Sequence, residues 1–333
     1  MSRGARHVLV LTGCLAAVVP GAMLLGSSRV APGALLGALR GPAAHELHVL
    51  LWEIRVPRVL LGALVGAALA ASGAALQEWL QNPLVEPGIG GVSSGAALCA
   101  VLALYGGLSI HSALAVPAAA MAGALGAALA VAALAGRDLG NERVLLAGLA
   151  LTTACNAAIA LVLNLSPNPL ASLELTFWLL GSLADRSLVH LGWVLGPMAL
   201  GFVLLLVQGR ALRAWALGPE VAASLGVNPL LLRACVLLGT ALTVGAAVSV
   251  SGTIGFVGLF VPHLLRRRVQ GDAAWLVPAS ALAGAILLVL ADAAVRVSGP
   301  WMQGIELKVG VMTALLGTPV LFLHALRGGR AWT

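Results

Sequence analysis

Residues 55–96 read RVPR, then a long apolar run, then QEWLQNPLVEPGIGGVSSGA. A helix long enough to cross a bilayer begins here on two arginines and stops at Asn82-Pro83-Leu84, with glycines at 88, 90, 91 and 95 close behind. Lipid-facing helices have no use for such a break. Unpaired backbone groups are tolerated at membrane depth only beside protein or a water-filled cavity. Asn82, Pro83, Gly88, Ser93, Ser94 and Gly95 are therefore expected to line a path, the small side chains leaving it wide.

The composition agrees with that reading. Of 333 residues, 60% are apolar and 9% are charged, and the mean hydropathy is +1.02; soluble domains carry about 25% charged residues. About 20 apolar residues span a bilayer, so the length allows roughly ten spans with short loops. The expectation is an all-α polytopic protein, a single transmembrane domain over residues 1–333. The net charge of +7 is not gathered on one face, so it does not indicate nucleic acid. Its charges sit between apolar runs, where they set topology. Cys14, Cys99, Cys155 and Cys235 fall in or beside apolar segments without C-x-x-C spacing, which points to packing thiols and not to a metal site. The N-terminal uncharged run is longer than a signal-peptide core, so it is taken as the first span.

Uncharged runs place the spans near 8–26, 58–80, 92–107, 113–135, 144–166, 190–208, 229–249, 256–268, 274–296 and 306–326. The 32 uncharged positions of 234–265 are too many for one span and too few for two. With Gly252, Gly255, Gly258 and Pro262 in the second part, they read as a full helix, a turn re-entering the membrane and a short helix. Ten spans put both termini on one side. Placing that side in the cytoplasm leaves twelve arginines inside against six arginines and Lys308 outside, as the positive-inside rule asks. Ten also divides into two halves of five, which inverts the second half. Asn82-Pro83-Leu84 and Asn228-Pro229-Leu230 are read as an echo of that repeat.

What the chain lacks is equally informative. The twelve acids all map to loops or span ends, whereas ion-coupled carriers keep acids deep in their helices. The single lysine sits in E-L-K-V, so no P-loop exists. Any ATP must be handled by a partner. A segment suited to meet one is 210–227, RALRAWALGPEVAASLGV, with Pro219 and Glu220 in a helix's first turn and Gly226 at its end. Val221, Ala222 and Leu225 fall on one face. Either a partner surface or a short helix lying on the membrane fits that pattern.

The chain resembles the permease subunits of the type II ABC importers, the family that takes up iron-siderophores, haem and cobalamin. The matching residues are RVPR (55–58), SGAALQ (72–77), NPLVEPG (82–88), GVSSGA (91–96), FWLLGSL (177–183), LGPEVAASLGV (217–227), GTIGFVGLFVPHLLR (252–266), ADAAVR (291–296) and ELKVGVMTALLGTPV (306–320). After Pro319 the sequence reads Val320-Leu321-Phe322 and departs from the usual ending. The resemblance implies ten spans, a second permease copy or paralogue, two cytoplasmic ATPase subunits that bind ATP and magnesium, and an external substrate-binding protein. It implies a multi-pass protein of the bacterial cytoplasmic membrane that binds no cofactor itself, performs no covalent chemistry and touches no nucleic acid. It makes Arg55, Arg58 and Arg296 docking residues for carboxylates of the binding protein, a task suited to the arginine fork. It makes Leu217, Gly218, Glu220, Ala222, Leu225 and Gly226 the surface that couples to the ATPase. The cargo would be a bulky metal chelate, ferric siderophore first, with haem and cobalamin open. The competing class is a self-contained secondary carrier or channel.

Overall fold

The computed structural model describes residues 3–26, 45–88, 90–112, 114–136, 141–166, 168–299 and 307–327. Helices α1 (Arg3–Leu24), α2 (Val56–Trp79), α3 (Val92–Tyr105), α4 (Ala115–Ala135) and α5 (Asn141–Asn164) form the first half. Helix α6 (Pro169–Leu179) leads into the second half, α7 (Leu188–Val207), α8 (Gly209–Trp215), α9 (Pro219–Ser224), α10 (Pro229–Ser251), α11 (Val257–Arg266), α12 (Ala273–Ser298) and α13 (Val309–Arg327). Among the described residues, seven helices are long and apolar enough to cross a membrane, and three shorter apolar ones lie at 92–105, 257–266 and 309–319. Together they account for the ten spans. The second starts earlier than expected, because a π-helical turn, Val49–Arg55, runs directly into α2.

Helices α2 and α10 are the core. Both are apolar on every side, as a helix enclosed by others must be, and nearly every side chain from Arg58 to Trp79 is buried. Around them, α5 and α7 turn Leu146, Leu161, Val203 and Val207 outward as a lipid-facing surface. Tight packing inside rests on small residues, since bilayer helices associate through close backbone approach. Helix α2 crosses α12 where Gly66 and Gly284 face each other; a Cβ on either would overlap the other's carbonyl oxygen. At the crossing of α7 and α10, an added Cβ on Gly201 would sit 2.9 Å from the Gly239 carbonyl oxygen.

Two interruptions organise the centre. The first follows α2: Gln81 takes φ 51°, the Asn82 side chain accepts the Leu84 N–H at 3.0 Å, and Gly91 at φ 83° opens α3. The second follows α10, where Gly252 takes φ 67° and Phe256 φ 68° before α11 begins. A side chain on Gly252 would run into the Trp178 carbonyl, so the tight turn requires glycine. Ser182 donates its N–H to the Ser251 carbonyl at 2.7 Å, and its neighbour Leu183 packs on Gly62 of α2. The C-terminal end of α10 therefore lies beside the N-terminal end of α2, and the two helices run antiparallel.

The order of long buried helix, break and short helix thus occurs twice in opposite directions. This corrects the Asn-Pro-Leu echo. Asn82 ends the helix before its break, whereas Asn228 starts α10, its side chain accepting the Leu230 and Leu231 N–H groups at 3.0 and 3.2 Å. Asparagine followed by proline serves both a turn and a helix cap, so the motif alone does not mark symmetry.

Candidate functional site

The two breaks meet. A Glu86 carboxylate oxygen accepts the Phe256 N–H at 3.2 Å. Gln77, buried on α2, donates to the carbonyls of Val85 and Gly258, both at 3.1 Å. Thr152 of α5 donates to the Gly88 carbonyl at 2.9 Å. Backbone groups freed by the breaks thus find protein partners, as membrane depth demands.

Beside this junction lies a cavity of about 440 Å³. Its wall includes Glu86, Gly88, Ser93, Ser94, Asn156 and Thr253, with Ala97, Ile159, Leu163 and Ile254 supplying apolar surface. Gly88, Ser93 and Ser94 are brought together as wall residues. Asn82, Pro83 and Gly95 are not among them. Asn82 closes the turn after α2 with Pro83 beside it, and a Cβ on Gly95 would lie 2.6 Å from Ala127, so that glycine serves the contact of α3 with α4. Glu86, Asn156 and Thr253 were missed from sequence. Asn156 had a usable signal, a carboxamide inside an otherwise apolar span.

At the α2 N-terminal end, Arg58 grips Asp292 of α12. Its Nε lies 2.9 Å from Oδ1 and a terminal nitrogen 2.8 Å from the same oxygen. Arg296 shares that carboxylate through Nε at 3.0 Å and donates to the carbonyls of Leu25 and Ala22 at 2.6 and 3.0 Å. Arg55 donates to the Met23 carbonyl at 2.6 Å. The three arginines are thus collected on one end, and Arg55 and Arg58 are 4% and 9% exposed. They staple α1, α2 and α12 together.

Asp292 lies near a span end, as read from the sequence, yet is only 1% exposed. Glu78, the second-last residue of α2, is likewise buried at a span end and ion-paired with Arg266. A buried carboxylate is tolerable when paired and hydrogen-bonded. Arg296 falls over Asp292 because i and i+4 share a helix face, and the Gly66–Gly284 crossing brings Arg58 to the same point.

The opposite end carries α8 and α9. Trp215 donates its indole N–H to the Trp79 carbonyl at 2.8 Å, and Arg213 forms a forked pair with Asp272 at 2.8 and 2.7 Å. Gly218 at φ 106° and Gly226 at φ 84° bracket α9, with Pro219 in its first turn and Glu220 exposed. The expected common face of Val221, Ala222 and Leu225 divides. Ala222 is fully buried, while Leu217, Val221 and Leu225 are 65%, 43% and 63% exposed. Val221 and Leu225 follow one another at i and i+4, and Leu217 precedes the non-helical Gly218, so the exposed apolar side chains flank α9 on a firmly anchored mount.

The comparisons with known proteins agree with these features. Residues 11–327 match the FecCD transport family. The hemin transport system permease protein HmuU of Yersinia pestis is 40% identical over 317 residues, 92% of each chain. The vitamin B12 import system permease protein BtuC of Salmonella typhi is 38% identical over 305 residues, covering 92% of this chain and 90% of its own. A solved structure described as an inward-facing conformation of a metal-chelate type ABC transporter superposes with a TM-score of 0.85 at 27% identity, over 97% of this chain and 99% of that one. Both curated relatives are named as permease proteins of transport systems. By sequence and by fold, the chain belongs to the FecCD transport family of ABC-importer permeases.

Proposed function

We propose that this permease serves a binding-protein-dependent importer and carries a bulky metal chelate into the cytoplasm by ATP-driven alternating access. The observation that carries the reading is the exposure of Leu217, Val221 and Leu225 around the anchored α8–α9 mount, at the end opposite the arginine cluster. An ATPase seated on α8–α9 would move the ends of α2 and α12, to which Trp215 and Arg213 are tied. Those helices lead to the central breaks, whose relative position sets which side the cavity opens to. The α8–α9 end then faces the cytoplasm with both termini, in the bacterial cytoplasmic membrane.

Arg55, Arg58 and Arg296 would receive carboxylates of the external binding protein. Held from behind by Asp292 and backbone carbonyls, they would act as a fixed positive well. A second permease, a copy or a paralogue, would complete the path. The cargo class is supported by a cavity whose surface is mostly apolar and by relatives named for hemin and vitamin B12. Within it, a ferric siderophore is the first candidate. A secondary carrier is disfavoured because the buried acids Glu78 and Asp292 lie near span ends and are engaged by arginines.

The experiment is reconstitution of the chain in vesicles with the ATPase and binding protein encoded beside it. Chelate uptake that needs ATP and all three proteins is expected. Uptake by the chain alone, driven by an ion gradient, would overturn the reading.

A further inference from the structure

A second cavity, of about 410 Å³, lies between α6, the turn before α7 and the C-terminal end of α10. Its wall carries Glu174, Asp185, Arg186, His190 and Lys308 beside Phe177 and Trp178. Charged groups on one wall usually pair with each other. Among the described residues, Glu174, Asp185, Arg186 and Lys308 form no ion pair within 4 Å. The Arg186 Nε is buried without a hydrogen-bond partner, and Lys308 stands over the Phe177 ring with its ammonium 5.8 Å from the centroid. Such groups are costly to keep unpaired. His190 adds a third donor: its Nδ1 accepts the Ser187 N–H at 3.2 Å, which leaves the proton of a neutral ring on Nε2. Burial lowers the Arg186 pKa, and neighbouring Asp185 opposes that shift.

We infer that this cavity is an entrance subsite for a chelate bearing carboxylate groups, with Arg186 and Lys308 as its cationic contacts and Phe177 and Trp178 as its apolar wall. A guanidinium with a free Nε–H and a mobile ammonium match a carboxylate's oxygens. Glu174 and Asp185 offset the two cations, so an anion is oriented without being trapped, as a conducting site requires. The subsite sits at the C-terminal end of α10 and hence at the arginine-cluster end. Only α6 and its following turn separate it from the central cavity, since Leu179 lines that one and Trp178 this one. The inference rests on the transport reading above and narrows its cargo from metal chelates in general to anionic ones.

The test uses the full chain in nanodiscs and two water-soluble probes. Ferric EDTA presents carboxylates, and ferric tris(acetohydroxamate) is neutral and has none. Both are titrated while tryptophan emission is followed, and a Trp178→Phe variant isolates the signal of the cavity. Ferric EDTA is expected to half-saturate the Trp178-dependent quench at a concentration about tenfold lower than the neutral probe. Arg186→Gln combined with Lys308→Gln should abolish that preference, and Arg186→Lys, which keeps the charge, should retain part of it and guards against misfolding. Equal quenching by both probes, or a preference that survives the double substitution, overturns the subsite. A wild-type chain that shows no probe preference while partner-driven uptake is intact would sink the subsite alone. Absent ATP-dependent uptake of any chelate would sink the transport reading itself.

Discussion

The Glu86 carboxylate accepts the backbone N–H of Phe256 at 3.2 Å, joining two helix breaks 170 residues apart in the chain. Phe256 holds a left-handed φ of 68°, a conformation that costs on the order of 1–3 kcal/mol in a non-glycine residue and persists only when its surroundings hold it. Glu86→Ala removes that hold and leaves a part-buried donor without its acceptor, a loss of about 1 kcal/mol. Thermal unfolding in nanodiscs should show a lower midpoint for Glu86→Ala. Glu86→Gln keeps a carbonyl acceptor and should fall between. Wild-type stability in both variants would mean that the breaks are held by other contacts.

Asp292 supports two guanidiniums at once. Asp292→Ala strands Arg58 in a buried site, which typically costs about 3–5 kcal/mol, and should lower the yield of folded protein sharply. For the same reason Arg58→Glu and Arg296→Glu would set two carboxylates against each other and disturb folding before docking is tested. Arg58→Lys keeps the charge and loses the fork. We expect it to stay folded and to weaken the binding protein about tenfold, with the salt dependence of the wild type because the charge is kept. Unchanged affinity would confine Arg58 to stapling α2 to α12.

The Gly66–Gly284 crossing sets the spacing of the two helices that join the ends of the molecule. Gly66→Val would drive a side chain into the Gly284 carbonyl and Leu288, and overpacking of this kind costs about 1–3 kcal/mol, occasionally more. Gly126→Val, on α4 with nothing near its added atoms, is the matched control and should behave as wild type in size-exclusion profiles. Equal loss in both would trace the effect to glycine replacement in general.

On α9, exposure separates binding from folding. Leu225→Asp and Glu220→Arg alter exposed side chains, where substitutions usually move stability by about 0.5 kcal/mol or less. Both should leave the permease folded and abolish or strongly reduce co-purification of the ATPase. Ala222→Leu, at a fully buried position, should instead damage the mount itself. Normal ATPase binding by Leu225→Asp and Glu220→Arg would place the coupling surface elsewhere.

Much of this fold was legible because membrane spans write themselves as uncharged runs. The break at 252–256 was also predictable, from a length that fits neither one span nor two. What escaped depended on three-dimensional convergence. Asp292 reads as an ordinary span-end acid until the α2–α12 crossing delivers Arg58 to it. The second cavity draws on residues from Leu104 to Lys308, each unremarkable in its own segment. Gly95 looked like a path residue because small side chains serve both cavities and close helix contacts, and only the position of α4 decides between them. On α9 the spacing gave the correct helix but could not say that Ala222 alone would be covered.

The central claim is that the cavity beside the two breaks is a path whose access changes with the nucleotide state of the partner. The most direct measurement places cysteine at Ser93 in a background lacking the four native thiols, with Gly95→Cys as a packed comparison. Labelling by a membrane-impermeant thiol reagent is followed in sealed vesicles holding the assembled importer, from either side, with and without ATP. The account predicts that Ser93→Cys reacts from one side without nucleotide and loses or switches that reactivity with ATP, while Gly95→Cys, if it folds, stays protected throughout. Reactivity at Ser93→Cys that is identical in every nucleotide state, or absent from both sides in all of them, would contradict it.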